Sequence, residues 1–289
     1  MKNQVKYRSE NVDGINIFYR ESGDPPNPTI LFFHGFPSSS HMYRDLLTAL
    51  SASYHVIAPD YPGFGHSDAP GLADYDYSFD QLSITMERFI DQINLKKFSL
   101  FMQDYGSPVG FRIAARRPEL IQTLLIQNAN AYFEGLGPMV QAIGELERAG
   151  DSKGLEAATL GMMTLEGIKN MYMEGAAHPE RINPDSFLFD SLLMERKGIK
   201  EIQAALFANY GTNFPLYAEW QNYLQTEQPP ALILWGKNDQ IFVPAGADAY
   251  QKDLKNAAVY KFDGGHFAIE EYHSEMIPII EHFLQKFTK

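Results

Sequence analysis

Cysteine is absent from this chain, which excludes disulfide cross-links, thiolate metal sites and a thiol nucleophile at once. Long apolar runs are also absent. No window approaches the ~18 consecutive apolar residues of a membrane-spanning helix, and the opening "MKNQVKYRSENVDG" lacks the apolar segment of a secretory leader. The expectation is a cytoplasmic protein that does not sit in a membrane. Positive charge is in short supply: 24 basic residues against 36 acidic ones give a formal charge of −12. That balance disfavours nucleic acid or an anionic lipid surface as a partner and favours a small, neutral, apolar molecule. Tryptophan occurs only twice, at Trp220 and Trp235. Repeats and low-complexity tracts are missing as well.

What is present is enough apolar residue, 45% of 289, to bury a large core. Short β-like runs recur along the chain: "INIFYR" (15–20), "TILFFH" (29–34), "HVIAP" (55–59), "FSLFMQ" (98–103), "TLLIQN" (123–128), "ALILW" (231–235) and "AVYKF" (258–262). Segments of helical period such as 79–93 and 246–254 lie between most of them. This alternation predicts an α/β protein with a mostly parallel sheet flanked by helices. One interval breaks the rhythm. Residues 129–230 are rich in Met, Phe and Tyr and helical in pattern, and they contain no convincing strand. They read as a helical cap inserted into a core made of residues 1–128 and 231–289, with methionines suited to lining a pocket.

Ligands of such sheets bind beyond the carboxyl ends of the strands, so residues just after each run carry most information. "HGFP" follows the 29–34 run, and the glycine-rich "DYPGFGHSD" follows the 55–59 run. Asp104 sits where "FSLFMQ" breaks into a helix-like segment. Asp239 follows "ALILW", and His266 lies in a Gly-Gly-His loop before the last helical segment. Each could have an ordinary structural role. An aspartate before a helix is most often an N-cap, Asp239 can be a turn former beside Asn238, and His266 can be a buried, hydrogen-bonded histidine. Asn128 and Asn130, after the 123–128 run, are at a second place for an acid, but neither can carry a negative charge.

Taken together, Asp104, Asp239 and His266 have the nucleophile, acid, histidine chain order of the α/β-hydrolases, with aspartate where serine usually stands. Through "HGFP", "DYPGFGHSD", "MQDYGS", "WGKND" and "GGHF" the chain resembles the epoxide hydrolase and haloalkane dehalogenase branch of that family over nearly its whole length. Met102 departs from the pattern, standing where a small residue is common. The resemblance implies an α/β-hydrolase fold with a helical lid, monomeric or homodimeric, working without metal or organic cofactor. It implies that Asp104 attacks a saturated carbon to form an ester. His266, supported by Asp239, then activates water to hydrolyse that ester. Backbone N–H groups of Phe36 and Tyr105 would meet the oxyanion.

The leaving group separates the two activities. Dehalogenases of this branch typically carry a tryptophan directly after the nucleophile and often an asparagine after His-Gly, to hold the halide; here these positions are Tyr105 and Phe36. Haloacetate dehalogenases place arginines just after the nucleophile, whereas none occurs here before Arg112. Epoxide hydrolases use lid tyrosines to donate to the ring oxygen. "NYGTNF" offers Tyr210 with Asn213, 29 residues before Asp239, although Gly211 replaces the family's arginine. Tyr172 in "KNMYMEGA" is the choice for the second donor, with Tyr132, Tyr217 and Tyr223 as competitors. The expected activity is epoxide hydrolysis. A hydrolytic dehalogenase with an atypical halide site, an esterase, and a ligand-binding protein on the same fold are the alternatives.

Overall fold

A computed structural model describes residues 4–288. Its eight strands form one sheet in the order β1-β2-β4-β3-β5-β6-β7-β8. They are β1 (Lys6–Val12), β2 (Ile15–Ser22), β3 (Thr29–Phe33), β4 (His55–Pro59), β5 (Phe98–Gln103), β6 (Ile121–Gln127), β7 (Ala231–Gly236) and β8 (Ala257–Phe262). β1 and β2 run antiparallel to their neighbours, and every pairing from β4 to β8 is parallel. Every residue of β3, β4, β5 and β7 is buried, as continuous apolar strands covered on both faces must be. All seven strands expected from the apolar runs are present to within about two residues. β1 is the addition. Its "KYRSENV" is polar and mostly exposed, so no apolar run announces it; the signal lies in Asp13-Gly14, whose φ angles of 52° and 90° make the tight hairpin turn onto β2.

Flanking helices are α1 (Arg44–Leu50), α2 (Phe79–Gln92), α3 (Gly106–Arg116), α10 (Pro244–Asp253) and α11 (Ala268–Phe287). α2 shows why these segments become helices. Ser78 caps it by accepting from Gln81 N at 3.2 Å, and Phe79, Leu82, Met86, Phe89 and Ile90 recur at helical spacing on its buried stripe. No helix among the described residues is long and apolar enough to cross a membrane.

Between β6 and β7 the chain forms α4 (Pro138–Ala149), α5 (Ser152–Met162), α6 (Leu165–Met173), α7 (Pro184–Met194), α8 (Ile199–Asn209) and α9 (Tyr217–Glu227), with a 3₁₀ segment at Tyr210–Leu216. These helices are fastened to the sheet's loops by polar contacts. Arg196 donates to the carbonyls of Gly65 and Ser67, and Gln203 Nε2 to that of Gly63 at 3.2 Å. The glycine-rich loop 60–68 is therefore the seat of the cap. Internally it is braced by Asp60, which accepts from Ser40 N and His66 N at 2.7 and 2.8 Å.

The turn from β5 into α3 is tightly packed. A Cβ on Gly106 would overlap the carbonyl of Phe33 on the neighbouring strand, and one on Gly110 would overlap Met102 Sδ. Gly110, one turn into α3, makes the room that a small residue at position 102 would otherwise provide. Gly110→Ala is therefore expected to lower stability by roughly 1–3 kcal/mol through overpacking, outweighing the ~1 kcal/mol helix-propensity gain. Urea denaturation should show the loss in the wild-type background and its disappearance beside Met102→Ala; an equal loss in both backgrounds would refute the contact.

Candidate active site

β5, β6 and β7 are consecutive neighbours in the sheet, so the residues just beyond their carboxyl ends are brought side by side. Asp104 follows β5 with φ of 49°, a left-handed conformation that is strained for a residue with a side chain. The kink leads directly into α3, where Tyr105 occupies the cap position without a side-chain cap bond. Asp104 Oδ1 instead accepts from Phe36 N at 2.8 Å, and the carboxylate also accepts from the backbone N–H of Tyr105. Gly35 allows the approach, since a Cβ there would overlap Asp104 Cβ.

His266 Nδ1 lies 2.8 Å from Asp239 Oδ2, and His266 Nε2 is 3.7 Å from Asp104 Oδ2. Asp239, fully buried, is surrounded by donors. Its Oδ1 accepts from Ile241 N and Phe242 N at 2.7 and 3.1 Å, and its Oδ2 also accepts from Asn128 Nδ2 at 2.7 Å. Asn128, at φ of 42° beyond β6, is itself held by Gly236 N and Gln127 Nε2, which both donate to its Oδ1. Asn128 thus orients the acid without being one. Its position after a strand is visible in the sequence, but its role appears only once β6 and β7 are adjacent.

Burial raises the Asp104 carboxyl above its ordinary range, although His266 and the Phe36 and Tyr105 N–H groups oppose that shift. For His266, burial alone would lower the proton affinity, but the Asp239 carboxylate, aided by Asp104, reverses this and raises it. His34, in the turn before Phe36, is pushed down to about 4 by burial and stays neutral. It accepts from Tyr61 N at 3.3 Å and holds the turn.

Asp104 opens onto a cavity of about 480 Å³ whose walls include Phe36, Tyr105, Leu136, Phe207, Tyr210 and Phe242. Its lining is predominantly apolar, so it suits a neutral organic molecule. No cluster of side chains able to hold a metal ion occurs among the described residues. Of the cap tyrosines that the sequence singles out, only Tyr210 lines this cavity. It heads the 3₁₀ segment and is bracketed by two anchored asparagines. Asn209 Oδ1 accepts from Phe79 N of α2 at 3.0 Å, and Asn213 Oδ1 from Arg112 Nη1 of α3 at 2.7 Å. Burial, with help from the neighbouring phenol Tyr217 and the Asp104 charge, holds Tyr210 firmly protonated.

Tyr172 is placed elsewhere, which corrects its assignment as the second donor. Its ring stacks on Phe267 at 3.9 Å, and its hydroxyl donates to Asp190 Oδ2 at 2.5 Å. Asp190 also accepts from Ser38 Oγ at 3.2 Å, and nearby Glu270 is clasped by both guanidinium nitrogens of Arg44 at 2.8 and 2.9 Å. A buried carboxylate on α7 has captured the phenol, a pairing between cap helices that spacing alone does not show. Tyr132 donates to Asp253, and Tyr223 is buried outside the cavity lining. Neither tryptophan reaches the cavity: Trp235 Nε1 donates to the Phe242 carbonyl at 2.9 Å, and Trp220 packs against Phe111 and Arg112.

The alpha/beta hydrolase fold family matches this chain over residues 28–146 and 195–272, and the chain belongs to that family. It is a hydrolase, similar over its length to haloalkane dehalogenases. It is 39% identical over 285 residues to the uncharacterized hydrolase YNR064C of Saccharomyces cerevisiae, covering 96% of this chain and 95% of that one. A haloalkane dehalogenase of Bradyrhizobium diazoefficiens is 28% identical over 306 residues, covering 95% and 92%. The crystal structure of the haloalkane dehalogenase DbeA from Bradyrhizobium elkani shares the fold with a TM-score of 0.78, at 22% identity and 98% coverage of both chains.

The buried acid beside Tyr172 gives a stability prediction. Burial, only partly offset by hydrogen bonds from Tyr172 and Ser38, pushes Asp190 up to about 8. The folded chain then holds a proton that the unfolded chain releases near pH 4, so this group costs stability progressively as pH rises from about 4 to about 8. Asp190→Asn should be close to wild type at pH 5 and more stable at pH 9 by on the order of a few kcal/mol. Urea midpoints at the two pH values check this, and a variant that is no more stable at pH 9 than at pH 5, relative to wild type, would contradict it.

Proposed function

We propose that this hydrolase opens epoxides to vicinal diols in two steps, acting on small, neutral, apolar substrates. The observation that carries the reading is a carboxylate in the nucleophile position and an anchored, protonated phenol, Tyr210, on the wall of one apolar cavity. In the first step Asp104 Oδ2 attacks a ring carbon and the carbon–oxygen bond of the ring breaks. The nascent alkoxide takes the phenolic proton of Tyr210, leaving an alkyl ester on Asp104. Oδ1 stays against the Phe36 N–H throughout, with the Tyr105 N–H beside the carboxylate.

In the second step a water gives a proton to His266 Nε2 and its oxygen attacks Cγ of Asp104. Negative charge gathers on Oδ1, where the Phe36 N–H already stands and the Tyr105 N–H is at hand. The ester's alkyl–oxygen group leaves with the proton from His266 as the diol. The regenerated carboxyl then loses its proton, which restores the Tyr210 phenol. Asp239, fixed by four hydrogen bonds, supports the imidazolium while it exists.

Halide displacement is the competing reading, because relatives bear that name. Against it stands the distance of both indoles from the cavity, which leaves no tryptophan N–H to hold a halide. A parallel assay on an aryl epoxide and a bromoalkane separates the two readings: diol with little bromide is expected, and bromide without diol would transfer the assignment to the dehalogenase. Tyr210→Phe should lower kcat/KM for the epoxide ~10-fold or more, the scale of one transition-state hydrogen bond, with little change in fold. Unchanged epoxide turnover would remove Tyr210 from the mechanism.

The ester itself can be trapped. A single turnover in heavy-oxygen water should place label in the Asp104 carboxylate, and His266→Gln should accumulate protein heavier by one substrate molecule. Label found only in the diol would mean direct water attack.

A further inference from the structure

Gln103 precedes the nucleophile on β5, is fully buried, and takes part in none of the steps above. Its Nε2 lies 2.8 Å from His266 Nε2, nearer to that nitrogen than Asp104 Oδ2 at 3.7 Å. Since His266 Nδ1 carries its hydrogen towards Asp239, Nε2 of the neutral ring is a lone pair, and the Gln103 amide donates to it. The other end of the carboxamide, Oε1, is buried without a hydrogen-bond partner. An orphaned buried carbonyl is costly, and native structures rarely leave one without a reason.

That reason follows from the proton His266 must receive. Once Nε2 is protonated it can no longer accept from Gln103, and Asp104 Oδ2 is too distant for a hydrogen bond. A half-turn of the carboxamide presents Oε1 as acceptor instead. The displaced NH₂ then faces the space over Gly35, where a Cβ would lie 2.6 Å from both Gln103 Oε1 and Asp104 Oδ1. It therefore turns towards a carboxylate and not towards apolar wall.

We propose that Gln103 is a positioning residue that follows the proton on His266, donating to the neutral ring and turning to accept from the imidazolium, and so sets that histidine's proton equilibrium. Its place in turnover rests on the two-step reading above, but the equilibrium itself does not. A carboxamide is suited to this because it offers both a donor and a strong acceptor, whereas methionine offers no donor and only a weak acceptor and glutamate only accepts. The bond to the charged ring is the stronger of the two, so the exchange favours imidazolium. The charged groups facing His266 are Asp239 beyond β7 and Asp104 beyond β5, while Phe242 and Phe267, from the loop before α10 and the start of α11, contribute rings.

The test is a pH titration of imidazole nitrogens by ¹⁵N NMR in the full chain without substrate, with His266 assigned by its absence in His266→Gln. Gln103→Met should lower the His266 midpoint by about one pH unit, and Gln103→Glu should raise it. Near-UV circular dichroism establishes that each variant is folded. Should Gln103→Glu not fold, Gln103→Leu replaces it, and a drop in both Met and Leu variants is the supporting result. Midpoints within about 0.2 pH unit of wild type, or moved in the same direction by Met and Glu, overturn the proposal. A protein that forms no diol yet shows the opposed shifts fails the functional reading and leaves this one standing.

Discussion

The buried carboxylate of Asp104 is the constraint around which this molecule is arranged. An anion removed from water must be given donors, and here two come from backbone, Phe36 and Tyr105. Backbone donors can reach it only because Gly35 lies against its Cβ and Gly106 against the β3 carbonyl, with the aspartate held at positive φ between them. The local strain persists because the strands below are fully buried and leave the turn no alternative. His266 adds a third, longer-range partner, and its own orientation is inherited from Asp239 and, through Asn128, from the neighbouring strand end.

The cap obeys the same logic of polar groups that need partners. Besides apolar faces such as Trp220 on Phe111, its contacts with the core include arginines and amides reaching loop carbonyls, as in Arg196 on the 60–68 loop and Asn238 Nδ2 donating to the Gly175 carbonyl at 2.9 Å. Arg112 is another of these ties. It is buried against Trp220, with its proton affinity reduced by burial to about 10, and it still spans from the Pro108 carbonyl to Asn213.

Much of this is legible in the residue order, for reasons that differ by element. Buried parallel strands read clearly because both faces are apolar, while β1 is hidden because an edge strand needs only its backbone. Asp104, Asp239 and His266 stand out because a polar residue just beyond a buried strand must either satisfy a turn or do chemistry, and three turns would have no cause to follow one particular chain order. Tyr210 is marked by Asn213, whose purpose, an anchor on α3, is a tertiary fact. Tyr172 has no such mark. Its position in the cap suggests a donor at the site, but a carboxylate eighteen residues on, Asp190, takes its hydroxyl. Gln103 looks like one more strand residue, since nothing in "FMQD" reveals a histidine 163 residues away.

The double anchoring of Tyr210 divides the cap into two parts with different freedoms. The phenol is tied through Asn209 to α2 and through Asn213 to α3, so it belongs mechanically to the core. Other parts of the cavity wall, Met139 and Val140 on α4 and Met162 on α5, have no share in those ties. Substitutions there can reshape the pocket for a longer or broader guest without touching the ties that hold Tyr210. The anchored phenol and the methionine-lined wall thus sit on separable pieces of structure.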